Sequence, residues 1–587
     1  MTALSAEQQA VVDAPLTPLS VIACAGSGKT RTAVHRLVEV RKRMGDQRGR
    51  VALLSFSNVA VDTFRKHYQV LAHELPVGVG RSRVEIDTID AFITANVLRP
   101  HAYRTMDCSS TPFLISGAES FLQNKEFKFW AQPSSGASFP VQPEKLKNVM
   151  VSLNGEQPVF GYANFGSLLP VTNGSAVANR LGKIGAYTHA LGQYWTYQVL
   201  RAQPKILSAL AHRYPHILVD ESQDIGSLHQ AILELLAGAG VQISMIGDPH
   251  QGIYEFAGAD GVFLTEYRER AGVAEYPLTR NYRSVPAILT IANTLSARTD
   301  TAERASPETH HGAFFIAYRT DERQQLINAF RATVVAADLE PENSAILCRS
   351  RPLADELAGV DAPLGQGLVK GFARAAVLRD KRQDYLASFK TVAGCVLALL
   401  ENPPQGLLTK ITQPARYPEM RALRREIWNF TRNTTTGLPQ SDLVADTQWH
   451  PQLLVRVKEL LDRLHAKFGF TVADKLGHKL AKKSLPNAPL MAADDLVVQQ
   501  NSQIRVDTVH QAKGESLDAV LYMATKEHVQ ALLAGTSSEV GRIGYVAITR
   551  AKNLLWLGVP ANSLKELKPA LLAAGFHEVG AAVTNQA

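Results

Sequence analysis

A short apolar segment, a glycine-rich loop and a helical pattern follow one another near the start of the chain. Residues 19–23 are apolar, residues 23–30 read Ala-Cys-Ala-Gly-Ser-Gly-Lys-Thr, and apolar side chains recur at helical spacing from 33 to 40. A glycine loop between a strand and a helix lets backbone N–H groups close around phosphate oxygens. The sequence therefore predicts a parallel α/β fold that carries a phosphate-binding loop.

The residues of this loop have distinct predicted roles. Lys29 adds positive charge at the β- and γ-phosphates, and the Thr30 hydroxyl is a predicted ligand of Mg²⁺. The residues predicted to bind nucleotide here are Ala25, Gly26, Ser27, Gly28, Lys29, Thr30 and Arg31.

Two further apolar strands lead into polar residues. Residues 217–219 precede Asp220 and Glu221, and residues 243–246 precede Gln251. Ligands of parallel sheets bind at such carboxyl ends. We expect Asp220 to hold Mg²⁺ through water and Glu221 to polarise the attacking water as general base. Gln251 is predicted to hydrogen-bond the γ-phosphate or that water.

Two aromatic residues, Tyr254 and Phe256, follow the last of these strand ends. On an exposed loop they suit stacking on nucleic-acid bases, an interaction worth about 1–3 kcal/mol per base. Packing in the core is the alternative interpretation.

The length and the hydrophobic pattern divide the chain. Its 587 residues allow three to five domains at about 150 residues each. Strands that alternate with helices predict two α/β blocks, the first interrupted by a looser region and the second by a mostly helical one. The predicted division is 1–94 and 211–276 for the first block, 95–210 for its insertion, 277–369 and 501–587 for the second block, and 370–500 for the helical insertion.

Composition and charge narrow the class of protein. No apolar run approaches the roughly 18 residues of a membrane span, so no membrane association is expected. The four cysteines are too scattered for a disulfide framework or a metal site, which predicts a cytoplasmic location: Cys24, Cys108, Cys348 and Cys395. A net charge of +8 and a pI of about 9.1 permit a polyanionic partner without requiring one.

Six more segments carry polar or aromatic residues in a fixed order. They read Leu-Ser-Ala-Glu-Gln at 4–8, Ser-Phe-Ser-Asn at 55–58, Asp-Thr-Ile-Asp-Ala-Phe at 87–92, Leu-Thr-Arg-Asn-Tyr-Arg-Ser at 278–284, Val-His-Gln-Ala-Lys-Gly at 509–514 and Tyr-Val-Ala-Ile-Thr-Arg-Ala at 545–551. Together with the loop and the strand ends, they resemble the motifs of superfamily 1 DNA helicases of the UvrD/Rep/PcrA type. The resemblance spans residues 4–558, apart from about 95–210 and 370–500.

The resemblance implies nucleotide contacts from both α/β blocks. By analogy with the family, Gln8 reads adenine and Tyr282 stacks on it, while Gly514 joins the nucleotide-binding set. Arg283 is implied to touch the γ-phosphate, and Arg550 is implied to act as an arginine finger. The implied cofactors are ATP and Mg²⁺. The implied fold is two RecA-like parallel-sheet P-loop domains, each with a largely helical insertion.

The resemblance also implies a DNA-binding track. Its residues are Phe56, Asn58, Thr88, Asp90, Tyr254, Phe256, Thr508 and His510. A γ-phosphate between the two blocks would attract Arg283 and Arg550, so ATP would close the cleft and hydrolysis would open it. Alternating grip on DNA then gives directional stepping. The implied activity is ATP-driven 3′–5′ movement and unwinding, with single-stranded DNA and single-strand/duplex junctions as partners.

Two departures from the family pattern bear on unwinding. The family carries Trp-Arg-Gly-Ala where this chain has Phe256, Ala257, Gly258 and Ala259, so the ring is kept and the arginine is missing. The glutamate after the fifth motif, Glu515, stands one place early.

Two alternative functions stay open. One is an ATPase subunit or DNA-end sensor that serves a partner nuclease, in repair or anti-phage defence. The other is a P-loop NTPase that acts on a protein or a small molecule.

Overall fold

A computed structural model of the chain describes two α/β domains and the two regions inserted into them. The described residues are 3–75, 83–115, 117, 119–164, 167–254, 258, 261–305, 311–357, 367–381, 383–401, 403–404, 406–414, 417–474, 476–482, 485–490 and 504–580.

The first domain is built on a six-stranded parallel sheet. Its strands are β1 (Leu19–Ala23), β2 (Val51–Ser55), β3 (Val84–Thr88), β4 (His216–Asp220), β5 (Gln242–Gly247) and β6 (Ala274–Leu278). Their order is β6-β1-β5-β4-β2-β3. Since β5 lies between β1 and β4, the carboxyl ends of these three strands meet at one edge. This edge holds the phosphate-binding loop and the acids predicted beside it.

Helices cover both faces of the first sheet. One face packs against Ala6–Asp13, Lys29–Met44 and Asn58–Leu71, and the other against Ser227–Gly238 and Val262–Arg268. The strands are almost continuously apolar because both of their faces are buried. The strands predicted at 19–23, 217–219 and 243–246 are confirmed.

The region between β3 and β4 mixes helices with short strands. Its larger helices are Gly174–Lys183, His189–Ala202 and Pro204–Arg213, and a three-stranded antiparallel sheet is formed by Val149–Asn154, Gln157–Asn164 and Ser167–Pro170. The sequence did not predict this sheet, because its half-exposed strands and the glycine turn at Gly155 are typical of a loop. Its core is continuous with that of the first sheet.

The second domain is also built on six parallel strands. They are β7 (Gly312–Tyr318), β8 (Ala345–Cys348), β9 (Arg505–Thr508), β10 (Leu517–Met523), β11 (Ala551–Pro560) and β12 (His577–Glu578), in the order β9-β8-β10-β11-β7-β12. The covering helices are Pro286–Ser296, Arg323–Ala336, Arg351–Leu357, Lys526–Leu533, Glu539–Ile548 and Leu564–Ala573. The two-domain α/β fold predicted from the sequence is confirmed.

The region between β8 and β9 is helical and has its own core. Its helices are Gly367–Asp380, Tyr385–Leu397, Leu407–Thr412, Arg421–Arg432, His450–Phe468 and Leu476–Lys479. The core is centred on residues such as Trp449, which is fully buried. Within the described ranges, no helix combines the length and the apolar character needed to cross a bilayer.

Candidate nucleotide and DNA site

The phosphate-binding loop connects β1 to the helix Lys29–Met44. Gly26 and Gly28 adopt φ values of 74° and 81°, a left-handed conformation that glycine reaches without strain. A Cβ on Gly28 would lie 2.7 Å from Gln8 Nε2, so the space beside this backbone is already filled. Gln8 Nε2 also donates a hydrogen bond to Ser27 O (3.0 Å). Gln8 therefore holds the loop in the curved conformation that phosphate binding requires.

Asp220 stands at the end of β4 and is 1% exposed. No described group donates a hydrogen bond to its Oδ1, and the Ser27 hydroxyl in the loop is likewise unpaired among the described residues. Burial and the neighbouring charge of Glu221 raise the pKa of Asp220. A cation beside this carboxylate would offset the free-energy cost of ionising it in a buried position. The orphaned oxygen and the Thr30 hydroxyl thus fit a hard, oxygen-seeking ion such as Mg²⁺.

Glu221 follows in a left-handed conformation (φ 54°) that is rare for a residue with a side chain. Gln223 Nε2 donates a hydrogen bond to Glu221 Oε2. Burial opposes ionisation of Glu221, but the charges of Lys29 and Lys513 outweigh it and lower the pKa of its carboxyl. Glu221 is therefore ionised at neutral pH, as a proton acceptor must be.

Two arginines from the chain beyond β6 lie near the predicted catalytic residues Glu221 and Gln251. Arg283 Nη1 donates to Thr549 O (2.9 Å), and Arg550 Nη2 donates to Gln251 Oε1 (2.8 Å). Burial and the charge of Arg550 lower the pKa of Arg283 to about 9. Both groups remain charged at neutral pH and repel one another. A γ-phosphate between them would relieve that repulsion.

Four consecutive residues of the first domain contact the second domain. The contacts are His250 Nδ1 with Thr536 Oγ1 (2.7 Å), Lys513 Nζ with Gln251 O (2.7 Å), Arg542 Nε with Gly252 O (2.5 Å) and His510 Nε2 with Ile253 O (3.1 Å). The Ile253 side chain is fully buried in the core of the second domain. Any movement between the domains must therefore move the segment that carries Gln251.

A buried ion pair also crosses between the domains. Lys513 Nζ lies 2.6 Å from both carboxylate oxygens of Asp224, and the two side chains are 7% and 3% exposed. The same ammonium lies 4.9 Å from the centre of the Tyr254 ring. The motif pattern places Lys513 and Asp224 near the site but gives neither residue a role. Lys513 therefore contacts both Asp224, near the predicted nucleotide site, and Tyr254, in the predicted DNA track.

One cavity of about 500 Å³ joins the nucleotide edge to the predicted DNA track. The predicted residues that line it are Thr30, Phe56, Asp90, Asp220, Glu221, Tyr254, His510 and Gly514. The insertion in the first domain supplies Lys147, Met150, His189 and Gln193 to its wall. We refer to this cavity as the groove.

Asp90 lies in the groove wall with two partners that the sequence did not indicate. Its Oδ1 accepts a hydrogen bond from Gln193 Nε2 (3.0 Å) and lies 3.0 Å from His229 Nε2. The ring of Phe56 meets His229 edge to face at 5.6 Å. Asp90 and Phe56 are therefore held in place by the same histidine.

Three further residues that are predicted to contact DNA lie outside the groove lining. Thr88 Oγ1 accepts from Ala91 N and caps a helix, Thr508 Oγ1 donates to Gln511 Oε1 (3.1 Å), and Asn58 is exposed at a helix start. Phe256 lies outside the described residues.

Beside the phosphate-binding loop, Tyr282 N donates a hydrogen bond to Gly26 O (2.9 Å), and the residue is 38% exposed. Asn281 Nδ2 donates to Ala25 O (2.6 Å), another support of the loop that the sequence prediction missed. Arg31 lies in the first turn of the helix after the loop.

Family models match both halves of the chain. The UvrD/REP helicase N-terminal domain matches residues 4–148 and 187–271, and the UvrD-like helicase C-terminal domain matches residues 410–561. The chain belongs to the UvrD-type superfamily 1 helicases. In this UvrD-type helicase, the antiparallel sheet of the first insertion falls within 149–186, which the N-terminal model leaves unmatched.

Individual relatives are distant. ATP-dependent DNA helicase UvrD2 of Mycobacterium tuberculosis is 23% identical over 316 residues, which covers 50% of this chain and 43% of the relative. DNA helicase II of Haemophilus influenzae is 23% identical over 640 residues, covering 94% and 83%. An ATP-dependent helicase/nuclease subunit of Natranaerobius thermophilus is 36% identical over 116 residues, covering 18% and 9%. This UvrD-type helicase thus aligns with less than half the length of UvrD2.

Proposed function

We propose that this UvrD-type helicase hydrolyses ATP to move 3′ to 5′ along single-stranded DNA and to unwind duplex DNA at single-strand/duplex junctions. The observation that carries the proposal is the shared groove, which reaches from Thr30 and Glu221 to Phe56 and His510. Because both domains line it, closure around a nucleotide changes the space available to a DNA strand. The 3′–5′ direction is inferred from the family resemblance alone.

The proposed hydrolysis uses the charges at the edge of the first sheet. Water attacks the γ-phosphorus, the bond to the β–γ bridging oxygen breaks, and ADP and inorganic phosphate are released. Glu221 accepts the proton of the attacking water, while Lys29, Arg283 and Arg550 neutralise the phosphate oxygens. Thr30 and Asp220 would hold Mg²⁺, which adds further neutralisation there.

The proposed coupling runs through the segment that both domains share. Arg550 binds the Gln251 side chain, and Lys513 binds the backbone oxygen of the same residue. Lys513 also contacts the Tyr254 ring in the groove. A change of contacts at the γ-phosphate therefore shifts groups that line the DNA track.

The proposal is tested by ATP hydrolysis with and without single-stranded DNA. We expect DNA to raise the turnover number at least tenfold, because DNA in the groove favours the closed arrangement. Strand displacement from a 3′-tailed duplex is expected, with a 5′-tailed duplex as the control. Equal turnover with and without DNA would instead support an NTPase that acts on another class of substrate.

A second candidate is an ATPase that serves a partner nuclease. It is favoured by Glu515 Oε2, which accepts a hydrogen bond from Arg505 Nη2, and by the similarity of 116 residues to a helicase/nuclease subunit. In the helicase family pattern, by contrast, the corresponding glutamate contacts the nucleotide. Strong DNA-stimulated hydrolysis without strand displacement by the chain alone would select this candidate, whose pathway would be repair or anti-phage defence.

Replacement of Tyr254 by alanine is expected to weaken single-stranded DNA binding. Loss of one base-stacking ring costs about 1–3 kcal/mol, which corresponds to a roughly 5- to 150-fold higher Kd. Fluorescence anisotropy with a labelled oligothymidylate measures the change. Tyr254→Phe is the matched control, because it keeps the ring over Lys513 and is expected to bind like the wild type. Equal losses in both variants would assign the effect to the hydroxyl and reject stacking.

A further inference from the structure

A second cavity lies between the second sheet and the helical insertion. It encloses about 410 Å³, and its polar lining includes Arg351, Lys370, Arg374, Asp384, Thr391 and Gln511. We propose that this cavity binds backbone phosphates of the DNA strand where it leaves the groove. The inference rests on the proposed function and extends the DNA track beyond the motif residues.

Three elements form the walls of the second cavity. Arg351 begins the helix that follows β8, so it stands at the carboxyl edge of the second sheet. Lys370 and Arg374 are one turn apart on the helix Gly367–Asp380 and therefore share a face. Thr391 comes from the helix Tyr385–Leu397. The cavity is thus a junction between the sheet and the insertion.

The two helices of the insertion are packed too closely for their positions to shift easily. A Cβ on Gly371 would lie 2.4 Å from Cys395 Sγ on the facing helix. Gly371 lies next to Lys370 and also lines the cavity. The close approach fixes the row of Lys370 and Arg374 relative to the opposite wall.

The acidic residues of the cavity are already occupied. Asp384 Oδ1 accepts a hydrogen bond from Ala387 N (2.9 Å) and caps its helix, and Asp507 Oδ2 lies 3.6 Å from Arg505 Nη1. Lys370 is exposed and makes no ion pair with any described residue. Arg351, Lys370 and Arg374 outnumber the two carboxylates, so the described lining carries a formal excess of one positive charge, which suits a phosphodiester.

Gln511 lines both the second cavity and the groove, so the two cavities are neighbours. Gln511 follows His510, a predicted DNA contact, and its Oε1 accepts a hydrogen bond from Arg351 Nη1 (2.9 Å). A strand that passes His510 therefore meets Arg351 first and the pair Lys370 and Arg374 next. This order places the cations along the exit of the groove.

The chemistry of the lining favours a DNA backbone over a free nucleotide. None of the described side chains that line the second cavity is aromatic, so they offer a base no aromatic ring to stack on. Nucleotide sites and sequence-tolerant single-strand sites both stack bases on aromatic rings. Cationic side chains without such rings bind the phosphates of the backbone. Inorganic phosphate and free ATP share the phosphate chemistry and are separated from DNA by the experiment.

The test compares full-length wild type with the double variant Lys370→Ala/Arg374→Ala. Anisotropy titrations use oligothymidylates of about 6 and about 20 nucleotides, one short enough to fill the groove and one long enough to extend beyond it. We expect the Kd for the long strand to rise about tenfold and the salt slope to fall by about 1.4, since each lost phosphate contact contributes about 0.7. The Kd for the short strand is expected to stay the same.

Two further variants sharpen the comparison. Lys370→Arg/Arg374→Lys keeps both charges and is expected to bind the long strand like the wild type. Lys458→Ala/Lys565→Ala removes two exposed charges outside both cavities and is expected to leave the salt slope within about 0.3 of the wild-type value.

Each contrary result has a defined meaning. Equal losses for the short and the long strand would overturn the inference, since they would show damage to the groove or the fold. If the alanine variant bound both strands as tightly as the wild type, the inference would be overturned and the proposed function would be unaffected. Calorimetry that detects a second ATP or phosphate bound by the wild type but not by the variant, with DNA binding unchanged, would assign the cavity to a free phosphate compound. Failure of the wild type to bind either strand would overturn the inference together with the proposed function.

Discussion

Glu221→Gln is expected to lower the turnover number for ATP by about 10²–10⁴-fold, the range contributed by a general base. Glutamine keeps the size of the side chain but cannot take a proton from water. The carboxylate it replaces is kept ionised by the charges of Lys29 and Lys513. The loss of this one function at an otherwise intact site should leave ATP binding close to the wild-type value.

Phosphate release measures the turnover number of Glu221→Gln, and titration with a fluorescent ATP analogue measures binding. Glu515→Gln is the matched control, because it makes the same chemical change at another glutamate of the groove and is expected to lower turnover less than tenfold. Lys29→Ala is expected to lose both binding and turnover. Normal hydrolysis by Glu221→Gln would show that another group accepts the proton.

The local parts of the site could be predicted because the signals are contiguous in the sequence. The strand, the glycine loop and the helix around Lys29 lie within a single stretch, and a left-handed turn there requires glycine. The predicted strand at 19–23 has the bounds found in the structure. The strand that ends at Asp220 was predicted for the same reason, since a buried parallel strand is apolar until the edge of the sheet.

Contacts between distant residues could not be predicted in the same way. Asn281 supports the loop at Ala25, which is 256 residues away in the sequence, and Lys513 pairs with Asp224, which is 289 residues away. A sequence pattern gives the type of residue at a strand end but not its partner. Thr508 illustrates the point: it is predicted to contact DNA, and that prediction did not include the hydrogen bond from its hydroxyl to Gln511 Oε1.

The same reasoning explains why the first insertion was only partly anticipated. Parallel strands buried on both faces give strong apolar runs, whereas the antiparallel strands near 149–170 have one face partly exposed. Glycine and asparagine at the turn near Gly155 weaken the strand signal further. Met150 from this sheet nevertheless lines the groove, so a part of the proposed DNA track lies where the sequence pattern is weakest.

Arg550→Ala is expected to lower the turnover number for ATP by about 10³–10⁵-fold, the contribution of an arginine finger. Arg550 is 2% exposed, and its guanidinium donates to Gln251 Oε1 (2.8 Å) and to Glu515 O (3.2 Å). It therefore stands where the second domain meets the segment that follows β5. Removal of the charge takes away stabilisation that develops at the γ-phosphate as the bond breaks.

Single-stranded DNA binding without nucleotide is expected to change less than about threefold in Arg550→Ala, because Arg550 is absent from the groove lining. Arg550→Lys is the matched variant: it keeps a charge but loses the planar fork that reaches two acceptors, so we expect partial recovery of turnover. Thermal unfolding of both variants distinguishes destabilisation of the fold from a specific loss of ATP hydrolysis. A variant that hydrolyses ATP normally but releases DNA would place Arg550 in DNA binding, since an arginine that neutralises the γ-phosphate must act on turnover first.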